Sequence, residues 1–138
     1  MTDSKLEPLH AGISIANMQA SIAWYEEVLD FQLMWCKDLP ELKSKIAFLK
    51  NDFFQIELFE AYENIVVPKE RLLPLTDLQT QGTKHIAFGT EDIVALFEKF
   101  KTKNVDIVFG TVESPPKDAL FGFIRDNSGV LIEFIQRK

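Results

Sequence analysis

The sequence holds little that could carry redox or covalent chemistry. Its 138 residues include one cysteine, Cys36, so no disulfide can close within the chain. That fits a reducing compartment, and a cytoplasmic location is expected. The opening residues MTDSKLEP show neither a basic n-region nor an apolar h-region, so no signal peptide is expected there. No apolar run approaches the roughly 20 residues that span a bilayer, which argues against a membrane partner. No long basic run occurs either. With 15 Lys and Arg against 21 Asp and Glu the net charge is −6, so a nucleic-acid backbone is not an expected partner.

What is present describes a folded chain. Hydrophobic residues make up 46% and charged residues 26%, an ordinary balance for a globular protein and not a disordered one. The length suits one domain, or two small halves sharing a core. Phe occurs 12 times, enough to fill a core and still line an apolar pocket. His occurs only twice, as His10 and His85.

Hydrophobic patterning gives an alternation of strands and helices. Leu9 to Ile15 reads as a strand. Asn17 can cap a helix running from Met18 to Leu29, with Asp30 closing it. Strands follow at Phe31 to Lys37, Lys45 to Lys50 and Phe53 to Glu60, separated by a loop around Pro40 and a turn at Asn51-Asp52. Residues 61–82 hold Pro68, Pro74 and Gly82 without sustained periodicity, which makes them a connector. The pattern then restarts. Thr83 to Gly89 is a strand, Thr90 is a candidate cap, and Glu91 to Lys103 is a helix with acidic residues in its first turn. Strands at Val105 to Thr111, Ala119 to Asp126 and Val130 to Gln136 complete the chain.

The order is βαβββ, given twice, which is the signature of an internal repeat. This defines one domain built of module 1 (8–60), a connector (61–82) and module 2 (83–138). His10 recurs as His85 at an offset of 75, and Ile56-Glu57-Leu58 recurs as Ile132-Glu133-Phe134 at an offset of 76. The two helices match best at an offset of 72, where Ile22, Trp24, Tyr25 and Val28 meet Val94, Leu96, Phe97 and Phe100.

Alternate strand residues share a face. His10 shares one with Gly12 and Ser14, and His85 shares one with Ala87 and Gly89. Small neighbours leave open space above each histidine, as the floor of a cleft would. Glu57 and Glu133 are single carboxylates inside apolar strands, and a buried carboxylate requires a partner. One His and one Glu per module, at matched positions, form a donor set suited to a borderline divalent ion: Ni, Zn, Co, Mn or Fe. Four protein ligands on an octahedral ion leave two positions for water or substrate. A substrate oxygen bound there is polarised and an enolate stabilised, while a nearby carboxylate moves a proton.

These segments resemble the vicinal oxygen chelate superfamily, also called glyoxalase/bleomycin-resistance/dioxygenase proteins. The resemblance rests on LHAGISI at 9–15, SIAWYEEVL at 21–29, IEL at 56–58, KHIAF at 84–88 and FIRDNSGVLIEF at 123–134. It implies an α+β fold in which two βαβββ modules form an open, cup-shaped barrel around one divalent metal. It implies His10, Glu57, His85 and Glu133 as ligands, with Glu133 or Glu57 as the catalytic base. The four-ligand set is similar to that of glyoxalase I, a lyase acting on a glutathione hemithioacetal through a metal-stabilised enediolate. Where bacterial glyoxalase I carries an arginine beyond the first histidine, this chain has Ser14. The resemblance therefore carries the metal chemistry further than it carries glutathione. A homodimer is expected, because such proteins commonly pair modules across subunits, and the two His-Glu pairs of one site can then come from different chains.

Same-family dioxygenases and epimerases are alternative readings, as is a non-enzymatic module that sequesters a small ligand. In a pure binder the four ligand positions would tolerate replacement while apolar pocket residues would not. Ser14, Phe53, Gln55 and Phe59 are expected to line the substrate pocket, with Trp35 a weaker candidate, although barrel packing explains the aromatic residues equally well. Cys36 reads as a small buried hydrophobe. Lys117, on the Pro115-Pro116 loop, reads as a surface lysine that a closing loop could bring to substrate. Arg125 and Asp126 are expected to brace the last hairpin. Glu60 and Glu63 read as surface charges, with Glu60 a rival to Glu57 only if the strand register slips.

Overall fold

Apolar alternation in the strands and a three-to-four-residue apolar spacing in the helices succeed one another along the chain in the expected order. The computed structural model describes residues 4–138. Module 1 comprises β1 (His10–Ser14), α1 (Met18–Leu29), β2 (Gln32–Leu39), β3 (Ser44–Lys50) and β4 (Gln55–Ala61). A connector with the short helix α2 (Pro74–Asp77) leads to module 2. This contains β5 (Ile86–Gly89), α3 (Ile93–Thr102), β6 (Asp106–Glu113), β7 (Ala119–Arg125) and β8 (Leu131–Arg137). Each module forms a four-stranded sheet, in the orders β1-β4-β3-β2 and β5-β8-β7-β6. The first strand of each lies parallel to the last, and the remaining pairs are antiparallel. The class is α+β, as expected. Among the described residues no strand pairing joins the two sheets, so one chain does not close a barrel.

The repeat is tighter in space than in sequence. Asn17 caps α1 by accepting from the Ala20 N–H at 2.9 Å, and Asp92 caps α3 by accepting from the Ala95 N–H at 3.0 Å. Thr90 is therefore not the cap, and α3 starts at Ile93 instead of Glu91. The Thr90 N–H is still engaged with the Ile135 carbonyl, which holds that residue in line with β5. A second cap comes from the last strand of each module. Glu60 Oε1 accepts from the Met18 N–H at 2.6 Å, and Gln136 Oε1 accepts from the Ile93 N–H at 2.8 Å. The helices consequently superpose at an offset of 75, not 72: Met18, Ile22 and Tyr25 stand where Ile93, Phe97 and Phe100 stand, and all six are buried. Asp30 ends α1 in the left-handed conformation, φ 57°, which aspartate tolerates better than most residues.

One hydrophobic core spans both modules. Ile13, Ile56 and Leu58 face it from the first sheet, Ile124, Ile132 and Phe134 from the second, and the two helices fill the space with them. Polar contacts fasten α1 to the β7–β8 turn. The Tyr25 hydroxyl donates to Asp126 Oδ2 at 2.7 Å, and the Ser128 hydroxyl accepts from the Ala16 N–H at 2.9 Å. Asp126 also accepts from the backbone of Ser128 and Val130, so it braces the hairpin as expected and links the modules as well. Burial pushes the Asp126 carboxyl above the usual carboxylate range against these hydrogen bonds. Burial, with Asp126 alongside, pushes the Tyr25 hydroxyl well up.

Two local expectations change. Cys36 is exposed, not buried, because β2 is an edge strand that is exposed along nearly its whole length. The connector is also more ordered than its sequence suggests. Asp77 is only 1% exposed. It receives Arg71 Nε at 2.9 Å and Lys84 Nζ at 3.3 Å, while Lys84 also donates to the carbonyls of Asp77 and Thr80.

Candidate metal centre

In each sheet the parallel pairing of first and last strand fixes where the histidine meets the glutamate. Gly12 lies opposite Glu57 and Ala87 opposite Glu133, so each histidine sits two residues earlier on the same face. His10 Nε2 is 3.3 Å from Glu57 Oε1. His85, immediately before β5, places Nε2 3.5 Å from Glu133 Oε2. The open space expected above each histidine's small neighbours is present in only one module: the Phe59 ring covers Gly12, where an added methyl group would come within 3.1 Å of it, while nothing lies within 4 Å of a methyl group at Gly89. The four side chains are partly exposed and similar across the modules, 31% and 19% in the first pair and 27% and 16% in the second.

Imidazole nitrogen and carboxylate oxygen bind transition-metal ions at about 2.0–2.2 Å, which sets neighbouring ligand atoms roughly 3.0–3.4 Å apart. The His10–Glu57 pair falls within that spacing and the His85–Glu133 pair lies just beyond it, so each approximates one edge of a coordination shell. The pairs do not come together. Among the described residues no group of three or more His, Cys, Asp and Glu side chains could hold one ion. A four-ligand site inside a single chain is therefore not formed. The cause lies in strand parity: Ile13, Ile56, Leu58, Ile132 and Phe134 face the shared core, so His10, Glu57 and Glu133 face away from it.

Burial raises the Glu133 carboxyl above its usual range, while the nearby His85 draws it back. Glu133 also lines an open cavity of about 550 Å³ with Phe121, Ile135, Pro115, Pro116 and Arg137. Each imidazole packs against a phenylalanine: Phe48 lies 5.2 Å from His10 at an interplanar angle of 84°, and Phe123 lies 4.9 Å from His85 at 87°. The sequence reading did not single out these two rings. Their signal was available, because Phe48 and Phe123 are related by the same offset as the two histidines.

The expected pocket residues divide. Gln55 pairs with His10 in register and Phe59 pairs with Ser14, so all three expected residues belong to the His10 face. Phe53 precedes β4, is 94% exposed, and lines a separate groove of about 660 Å³ with Phe31, Phe54 and Phe88. Trp35 tilts against Phe48 at 5.2 Å and so reaches the same aromatic face. Glu60 is on the opposite face, capping α1 and pairing with Lys45 at 3.6 Å, so it does not rival Glu57. Glu63 and Lys117 are exposed, and Lys117 turns its loop with φ 62°. Arg125 pairs with Asp106 at 3.1 Å and donates to the Leu72 carbonyl at 2.8 Å, tying the connector to β7.

Comparison with known proteins agrees with this architecture. Lactoylglutathione lyase of Haemophilus influenzae is 27% identical over 138 aligned residues, covering 96% of this chain and 94% of that protein. The uncharacterized protein YwbC of Bacillus subtilis is 29% identical, covering 93% and 95%. Among solved structures, a glyoxalase family protein from Enterococcus faecalis superposes with a TM-score of 0.81 at 21% identity, over 94% of this chain and 96% of that one. Glyoxalase I from Zea mays gives a TM-score of 0.73 at 25% identity, over 94% of this chain and 44% of that longer one. The family model for the Glyoxalase/Bleomycin resistance protein/Dioxygenase superfamily matches residues 8–134. By sequence and by fold, the chain belongs to that superfamily.

Proposed function

We propose that this protein is a divalent-metal-dependent lyase or isomerase of the glyoxalase I type, acting on a small substrate with adjacent oxygen atoms. The observation that carries the reading is the twice-built pair, His10 with Glu57 and His85 with Glu133, at 3.3 and 3.5 Å in matching register. The relatives named lactoylglutathione lyase support it. Because one chain keeps the pairs apart, the complete site is formed by two copies, each supplying one pair. β1, which carries His10, and β5, which His85 immediately precedes, are sheet edges, available to meet a partner.

His10, Glu57, His85 and Glu133 would hold the ion. When bound, it supplies Lewis acidity to a substrate carbonyl, which acidifies the neighbouring C–H. Glu133 Oε2 removes that proton and returns it to the adjacent carbon. The carbon that loses its C–H proton carries a hydroxyl, whose proton passes to the neighbouring carbonyl oxygen, so hydroxyl and carbonyl exchange places and no oxidant is needed. The cavity beside Glu133 gives the reacting carbons a place within reach of this carboxylate. Phe121 and Ile135 give that open cavity an apolar wall beside the carboxylate.

Mixed dimers test both parts. His10→Ala and His85→Ala homodimers should each lack metal and activity. A heterodimer of the two variants keeps one unaltered site if pairs are shared across subunits, so metal binding and turnover of methylglyoxal with thiols, glutathione and bacillithiol included, should return to about half. Failure to complement removes the shared site. Metal-free wild-type protein that is also unaffected by added Ni²⁺, Zn²⁺, Mn²⁺ or Fe²⁺ removes the enzyme reading and favours a sequestering module.

A further inference from the structure

A metal ligand must present its donor atom in one orientation. Histidine rings that bind metals are ordinarily fixed by a hydrogen bond to the second ring nitrogen. Here the contact through a ring nitrogen is the glutamate at Nε2, and the other oriented neighbour is a phenylalanine. Phe48 is the cross-strand partner of Glu57, and Phe123 is the cross-strand partner of Glu133. Each ring spans the last strand of its sheet and stands nearly perpendicular to the imidazole, at 84° and 87°. Perpendicular packing is an energetic preference of aromatic rings, so the contact resists rotation of the histidine about χ2. Phe123 is 3% exposed and held by Phe109 and Phe121, so it is a fixed support.

The core behind these faces has changed between the modules. Ile22, Ala47 and Leu58 of one stand where Phe97, Gly122 and Phe134 of the other stand. The histidine, glutamate and phenylalanine have not changed. Packing alone would let this ring vary as the core varies.

We infer that Phe48 and Phe123 are positioning residues that hold His10 and His85 in the orientation in which each shares an ion with its glutamate. The inference rests on the metal reading above, and its test is arranged to fail separately. The variants are Phe48→Leu, Phe123→Leu, their Tyr counterparts, and Phe134→Leu, which removes an aromatic ring from the core side of β8, where it packs on Phe97 and Phe100, without touching a histidine. Zn²⁺ affinity is read by chelator competition, beside thermal stability of the metal-free protein. Phe48→Leu and Phe123→Leu should weaken Zn²⁺ by about tenfold or more. The Tyr variants, which keep the ring, should stay within about threefold, and Phe134→Leu should lose stability without losing affinity. Unchanged affinity in the Leu variants, or an equal loss in Phe134→Leu, overturns the inference. NMR relaxation of the two histidine side chains in metal-free protein provides the independent reading. Should wild-type protein bind no Zn²⁺, increased ring motion of His10 in Phe48→Leu and of His85 in Phe123→Leu still supports positioning, and unchanged motion overturns it.

Discussion

The two modules share a topology but meet its packing demands with different residues. In module 1 the helix presents Ile22 to the sheet, and the central strand answers with Ala47 beside Leu58. In module 2 the helix presents Phe97, and the equivalent strand answers with Gly122 beside Phe134. A methyl group at Gly122 would come within 2.6 Å of the Phe97 ring and 3.0 Å of the Gly110 carbonyl. Volume added on the helix has been removed from the strand, as a close-packed interior requires. The opposite face carries His, Glu and Phe in both modules. Core positions exchange volume between the modules, whereas the histidine, glutamate and phenylalanine of the outward face recur unchanged.

The modules also differ in how the chain reaches the histidine. Residues 4–9 ahead of His10 are exposed. His85 is preceded by Lys84, whose ammonium is clamped by Asp77 and the Thr80 carbonyl, while Arg71 holds Asp77 and the Thr83 carbonyl. The largest effect should come from breaking this clamp. Asp77→Ala removes the buried acceptor from two cations, which are themselves partly exposed, and should cost about 2–3 kcal/mol in urea unfolding. A loss under about 0.5 kcal/mol would show that the connector docks without it.

The volume exchange offers the next test. Gly122→Ala should destabilise by about 1–3 kcal/mol through overpacking. Adding Phe97→Ile, which copies module 1, should restore part of that loss. A double-mutant cycle showing simple additivity would mean that the two positions do not compensate.

Two buried aspartates give a smaller contrast of opposite sign. Burial pushes Asp77 up, but the hydrogen bonds and charges of Arg71 and Lys84 outweigh it and hold the carboxyl below its ordinary 3.8. Its contribution is complete above that value and fades as pH falls through the lower folded one. Asp126 is raised by burial above the same 3.8. Its titration favours folding most below 3.8, and that advantage is lost as pH rises through the folded value. Unfolding from about pH 3 to pH 7 should therefore show the Asp77→Asn deficit shrinking towards acid and the Asp126→Asn deficit growing. Parallel slopes would contradict the assignment. The smallest effect should be at the surface pair of Lys99 and Asp30, 3.8 Å apart, where Asp30→Asn should change stability by less than about 0.5 kcal/mol.

Much of the fold and the pairing of donors was legible from the sequence. Strand alternation put His10 with Gly12 and Ser14 on one face, and the register keeps them there. Asn17 announced its cap because the interaction is local. The second cap was not legible in the same way. From the sequence Asp92 reads as part of the first turn, and the hydrogen bond that keeps Thr90 in line with β5 reaches the Ile135 carbonyl, far along the chain. Nor could periodicity reveal that Glu60 and Gln136 cap the helices from the ends of β4 and β8, because those bonds span 42 and 43 residues. Phe53 misled because period-two counting continued through a turn that Asn51 builds by accepting from the N–H groups of Phe53 and Phe54.

The sequence by itself determined the duplicated βαβββ order and the pairing of one histidine with one glutamate in each half. Those features follow from the hydrophobic period, which is set over a few residues at a time, and from the recurrence of the same pattern about 75 residues later. Only the tertiary structure decided that the two pairs stay apart in one chain. Both sheets turn their most apolar faces into a common core, since burying them there removes the most hydrocarbon surface from water. Strand alternation then forces the histidines and glutamates to face outward on each sheet, away from that core and from each other's pair.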